Sequence, residues 1–90
     1  MAFEVERAWR LDSRVAIRPE PFGALAYHFG TRQLSFLKTP KLVAVVESLG
    51  EQPTALAACR EAGVTDQELP AYCQALERLA RSGMVVEDGA

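Results

Sequence analysis

One histidine, two cysteines and twelve carboxylates are the side chains of this 90-residue chain with the chemistry of a catalyst or a metal ligand. General-base work by His28 needs a nucleophile or a carboxylate held beside it. His28 follows Leu25, Ala26 and Tyr27 in an alternating run, which turns it away from Tyr27 and Phe29 and assigns it no such partner. It reads as a surface or edge-strand histidine. Cys59 and Cys73 match neither a C-x-x-C redox pair nor a zinc-ligand spacing, and each stands among apolar residues in a helical pattern. They read as small buried hydrophobes of a reducing, cytoplasmic compartment.

The carboxylates are scattered. Glu47 and Glu51, Asp66 and Glu68, and Glu87 and Asp88 form close pairs, none with metal-ligand company. Glu77 and Arg81 have the i,i+4 spacing of a helix-surface ion pair, worth about 0.2–0.5 kcal/mol. The glycines stand singly at the ends of elements, so no phosphate-cradling loop is present. These residues point to no enzyme, no metal and no cofactor, and leave binding as the stronger class.

The elements that would position a binding surface follow from hydrophobic period and turn chemistry. A strand over Val15 to Ile17 is bounded by Pro19 and Pro21, which cannot donate to a ladder, so the strand must end or lie at a sheet edge there. Residues 23–38 split at Gly30 and Thr31 into two alternating runs, a hairpin signature, with Leu37 breaking the second alternation. Thr39 and Pro40 read as an N-cap and a first helical residue, followed by Leu42, Val45, Val46 and Leu49 at helical spacing up to Gly50. Thr54 caps a short second helix that ends at Gly63. A third runs from Asp66 or Gln67 to Ser82 with Leu69, Tyr72, Cys73, Leu76 and Leu79 as its apolar stripe. Met84 to Val86 can add a tail strand. The expected fold is α+β, a three-stranded antiparallel sheet followed by a three-helix bundle, as one domain over residues 1–90.

Gln33, Leu34, Ser35, Phe36 and Leu37 mix polar and large apolar side chains, as an edge strand does. If that edge lies beside the third helix, a groove forms with unpaired main-chain groups on one wall and Leu69, Tyr72 and Leu76 on the other. An extended peptide would fill it as an added strand. Part of each set must instead be core. An open edge also permits a homodimer through strand pairing.

Net charge is -2, but residues 1–46 hold seven basic against four acidic side chains, and residues 47–90 three against eight. A winged helix on DNA suits three helices and a hairpin. However, the third helix offers only Arg78 and Arg81 and begins with Asp66 and Glu68, the wrong sign for phosphate. No apolar run is long enough to span a membrane, and Glu4 and Glu6 exclude a signal peptide.

The run RPEPFGALAYHFGTRQLSFLKTP, then LVAVVESL and a last helix ending in RSGMV, resembles the MftB family of the mycofactocin system over roughly residues 8–86. That family belongs to the PqqD-like recognition elements of ribosomally made, modified peptides. The resemblance implies a winged-helix-like fold of three strands and three helices. It also implies a noncatalytic role, in which the protein binds the leader of the mycofactocin precursor peptide and presents it to a radical S-adenosylmethionine maturase, which would carry the iron-sulfur clusters. It places the leader in a cleft between the third strand and third helix. Here that means Gln33 to Leu37 for main-chain pairing and Leu69, Tyr72, Cys73, Leu76 and Leu79 for the apolar wall. Where the family motif places Asn after Leu, this chain has Lys38 after Leu37.

Overall fold

The computed structural model of the chain describes residues 3–88. In order, the elements are β1 (Trp9–Leu11), β2 (Val15–Glu20), β3 (Gly23–His28), β4 (Leu34–Leu37), α1 (Pro40–Ser48), a 3-10 turn (Leu49–Glu51), α2 (Ala55–Glu61), α3 (Leu69–Arg81) and β5 (Val85–Glu87). The α+β arrangement of a three-stranded antiparallel sheet and three helices is present, with β2, β3 and β4 paired in that order. A second sheet joins the two ends of the chain: β1 pairs antiparallel with β5, Trp9 opposite Glu87 and Leu11 opposite Val85. The tail strand therefore finds its partner in a segment whose three residues are too few to show a period.

Two residues, Pro21 and Phe22, link β2 to β3, and Gly23 opens β3 at φ +154. A Cβ at Gly23 would strike the Leu37 carbonyl, so only glycine lets β3 and the end of β4 close on each other. The register runs from Val15 opposite His28 to Glu20 opposite Gly23, and from Ala24 opposite Leu37 to Tyr27 opposite Leu34.

The sheet's inward face is the small one. Ala24 and Ala26 are buried, and with Leu37 they pack into the core formed with Leu42, Val45 and Val46 of α1. Alanines let a helix approach closely, which drives the larger Leu25, Tyr27, Leu34 and Phe36 to the opposite face. The alternation read from the sequence holds, but the exposure expected of His28 does not. His28 shares the alanine face and is 1% exposed.

Local chemistry starts the helices. Thr39 Oγ1 accepts the Leu42 N–H at 3.0 Å with Pro40 in the first turn, and Thr54 Oγ1 accepts the Ala57 N–H at 3.0 Å. Each cap contributes about 1 kcal/mol. α3 begins at Leu69, later than the start at Asp66 or Gln67 expected from the sequence, because Thr65 to Glu68 forms a reciprocal turn. Glu68 Oε1 accepts the Thr65 N–H at 3.0 Å and Thr65 Oγ1 accepts the Glu68 N–H at 3.2 Å. Lys41 of α1 donates to the same Glu68 oxygen at 2.8 Å and to the Gly63 carbonyl at 3.1 Å. This ties the start of α3 to α1.

Candidate functional site

Main-chain hydrogen-bond directions decide which strand edge is open. The His28 N–H donates to the Gln33 carbonyl at 2.9 Å and the Phe29 N–H to the Arg14 carbonyl at 2.9 Å. Carried along the registers, these bonds turn the main-chain groups of Ser35 and Leu37 toward β3 and those of Leu34 and Phe36 away from it. On the other margin the outward-facing positions of β2 are Val15, Ile17 and Pro19. Proline there removes a donor from the β2 edge. The β4 edge has no such block.

Beside it lies a groove of about 410 Å³ between β4 and α3. Ser35, Phe36, Lys38 and Thr39 form one side, and Ala71, Tyr72, Ala75, Arg78 and Ser82 the other, with Leu42 and Leu79 also lining it. Tyr72 Oη and Thr39 Oγ1 are 3.0 Å apart, joining the two sides at one point.

The residues expected from the sequence fall into separate places. Ser35, Phe36, Tyr72 and Leu79 line the groove. Leu34 offers main-chain groups to the open edge while its side chain, 55% exposed, lies on the outer face. Gln33 precedes β4 and its carbonyl is taken by His28. Leu37 and Leu76 are fully buried core residues, and Leu69 packs against that core. Cys73 is half-buried outside the groove lining. The stripe of α3 is thus shared between two faces, the core on one side and the groove on the other. Ala71, Ala75 and Arg78 are the groove residues that a search for large apolar side chains passes over. Their signal was the i,i+4,i+7 spacing of 71, 75 and 78 along one helical face.

Charge in the groove has one sign. Lys38 and Arg78 line it, no carboxylate does, and neither cation belongs to an ion pair among the described residues. The Lys41 hydrogen bond holds the Glu68 carboxyl below its ordinary range, and Glu68 in turn raises Lys41. Burial pushes the Cys59 thiol up to about 11 and also raises Cys73, the opposite of what an attacking thiolate needs.

His28 braces the hairpin that carries β4. Its Nδ1 accepts the Gly30 N–H at 2.9 Å and the Thr31 N–H at 3.0 Å, which leaves its proton on Nε2, 3.7 Å from Asp12 Oδ2. Asp12 is itself bound by the Arg14 side chain and main-chain N–H, and these bonds hold its carboxyl down at about 2. A carboxylate does stand near the histidine, but both ring nitrogens face structural partners.

Three comparisons bear on this geometry. Residues 8–86 match the model of the Peptide chaperone MftB family. The chain is 58% identical over 85 residues to Peptide chaperone MftB of Mycobacterium ulcerans, covering 94% of this chain and 78% of that protein. It is 55% identical over 84 residues to that of Mycobacterium tuberculosis, covering 93% and 77%, and 51% identical over 86 residues to that of Mycolicibacterium smegmatis, covering 96% and 84%. No solved structure matches the chain. The open strand edge and its apolar helical wall accordingly belong to a member of the MftB peptide chaperone family.

Proposed function

We propose that this chain is a noncatalytic peptide chaperone of mycofactocin biosynthesis that takes the leader of the precursor peptide as an added strand on β4. Holding the leader, it presents the rest of the peptide to a radical S-adenosylmethionine maturase. The observation that carries the reading is the juxtaposition of the unblocked β4 edge with the apolar wall of α3. Leu34 and Phe36 supply main-chain donors and acceptors for the incoming strand, and alternate peptide side chains enter the groove over Leu42, Tyr72 and Leu79.

Lys38 and Arg78 add a preference. A peptide that sets an acidic side chain beside apolar ones matches the groove in both respects. The mechanism is tethering: a bound leader keeps the core peptide at an effective concentration on the order of millimolar near an enzyme held by the same chaperone. The turn leading into α3, with Asp66 and Glu68, gives the DNA alternative no electrostatic support.

The test is calorimetric titration of the protein with a synthetic leader peptide and with a scrambled peptide of the same composition. Saturable one-to-one binding of the leader alone is expected, weakening when Lys38 and Arg78 are both changed to Glu. Equal binding of leader and scrambled peptide would remove the reading.

A further inference from the structure

The face of the sheet turned away from the helices is also apolar. Leu25 and Tyr27 of β3 and Leu34 and Phe36 of β4 point to it, and Phe22 and Phe29 flank them. Phe22 packs edge-on to Phe36 at 6.0 Å and Phe29 edge-on to Tyr27 at 5.1 Å. Four of these side chains, Phe22, Phe29, Leu34 and Phe36, are between 44% and 63% exposed. In a chain with a helical layer on the other side of the sheet, such a concentration marks a contact surface more than a solvated one.

Its charges say what kind of partner fits. Arg18 stands opposite Leu25 on this face, and Lys38 sits against Phe22 and Phe36. Arg32, held at φ +62, lies exposed in the turn before Leu34. Glu20 is the one acid of the β2 residues that point this way, and Arg18 engages it at 3.1 Å. Among the described residues Arg32 and Lys38 have no ion-pair partner. The face is therefore apolar at its centre and positive at its margin. A second copy set face to face would bring like charges together, which disfavours self-association there.

We infer that the outer face of the β2–β3–β4 sheet is the docking surface for the modifying enzyme, through a patch on that enzyme that is apolar at its centre and acidic at its rim. The inference rests on the function proposed above. It also gives β4 a separate role on each side, with its outward main-chain groups holding the peptide and its outer side chains meeting the enzyme. Phe36 borders both the groove and the outer face, so a protein seated on that face lies directly beside the bound leader.

Two variants test this, Tyr27→Ser and the double change Arg18→Glu with Phe29→Ser, none of these residues lining the groove. Each is titrated with the leader peptide and, separately, with the mycofactocin-system radical S-adenosylmethionine enzyme, after circular dichroism shows the wild-type fold. The expected result is enzyme affinity reduced about tenfold or more, as for loss of interface anchors and complementary charge, with leader affinity kept within about twofold. Wild-type enzyme binding should also weaken as salt rises. Undiminished enzyme affinity in both variants would overturn the inference. So would a wild-type dimer in sedimentation that both variants convert to monomer, since the face would then belong to a second copy. The leader arm with wild-type protein tests the proposed function independently of the enzyme arm.

Discussion

Proline at Phe36 separates main-chain pairing from side-chain contact. The Phe36 N–H faces the open margin of β4, so Phe36→Pro removes a donor the sheet does not use, and an edge strand tolerates proline in that orientation. Phe36→Ala removes the ring and leaves the donor, and so serves as the reference. Loss of one main-chain hydrogen bond costs about 0.5–1.5 kcal/mol net, and leaving a leader carbonyl unpaired in a partly dry groove raises this to about 1–3 kcal/mol. Leader affinity of the proline variant should therefore fall about 5- to 150-fold below that of the alanine variant. Isothermal titration calorimetry measures the difference, and circular dichroism verifies the fold. Ser35→Pro supplies the contrast. Its N–H serves β3, so proline there opens the internal ladder and should lower the melting temperature as well as binding. If folded Phe36→Pro bound leader as well as Phe36→Ala does, main-chain pairing at β4 would be excluded.

Three other outcomes are expected. Tyr72→Ala should weaken leader binding by about 1–3 kcal/mol if the ring anchors the peptide, while Tyr72→Phe, which loses only the contact with Thr39, should bind nearly as wild type; a loss confined to thermal stability assigns Tyr72 to the fold alone. Gly23→Ala should destabilise by about 2 kcal/mol or more, from its positive φ and the collision with the Leu37 carbonyl, lowering Tm by about 8–16 °C. Gly63→Ala, strained in φ +89 but with open space for the new carbon, should cost less, and equal losses would refute the close-approach argument. Asp12, held at about 2 against an ordinary 3.8, stabilises the fold when ionised. That contribution is complete above about pH 4 and is lost as pH falls toward 2. Thermal melts of wild type should drop across this window more steeply than those of Asp12→Asn, and parallel curves would show that the Arg14 contact adds nothing.

How much of this was legible in the chain depended on how local the cause was. Thr39 with Pro40, Thr54 and the Gly30–Thr31 turn are decided within a few residues, and each appears where its chemistry places it. The reciprocal turn of Thr65 and Glu68 is equally local, and it moves the start of α3 from the expected Asp66 or Gln67 to Leu69. His28 shows where period runs out. Alternation says which residues share a side of a strand and nothing about which side meets the helices, and here the alanines do because they permit close approach.

The order of strands and helices, their caps, the imbalance of charge between the two halves and the resemblance to a peptide-binding family all reside in neighbouring residues, and so in the chain itself. The division of the α3 stripe between core and groove, the pairing of β1 with β5, and the two sides of β4 arise only when distant segments dock. A side chain's neighbours along the chain set its direction on a helix or strand. What it then faces is set by contacts between elements, and those contacts made Leu76 core, Ala75 groove wall and Phe36 the border between two surfaces.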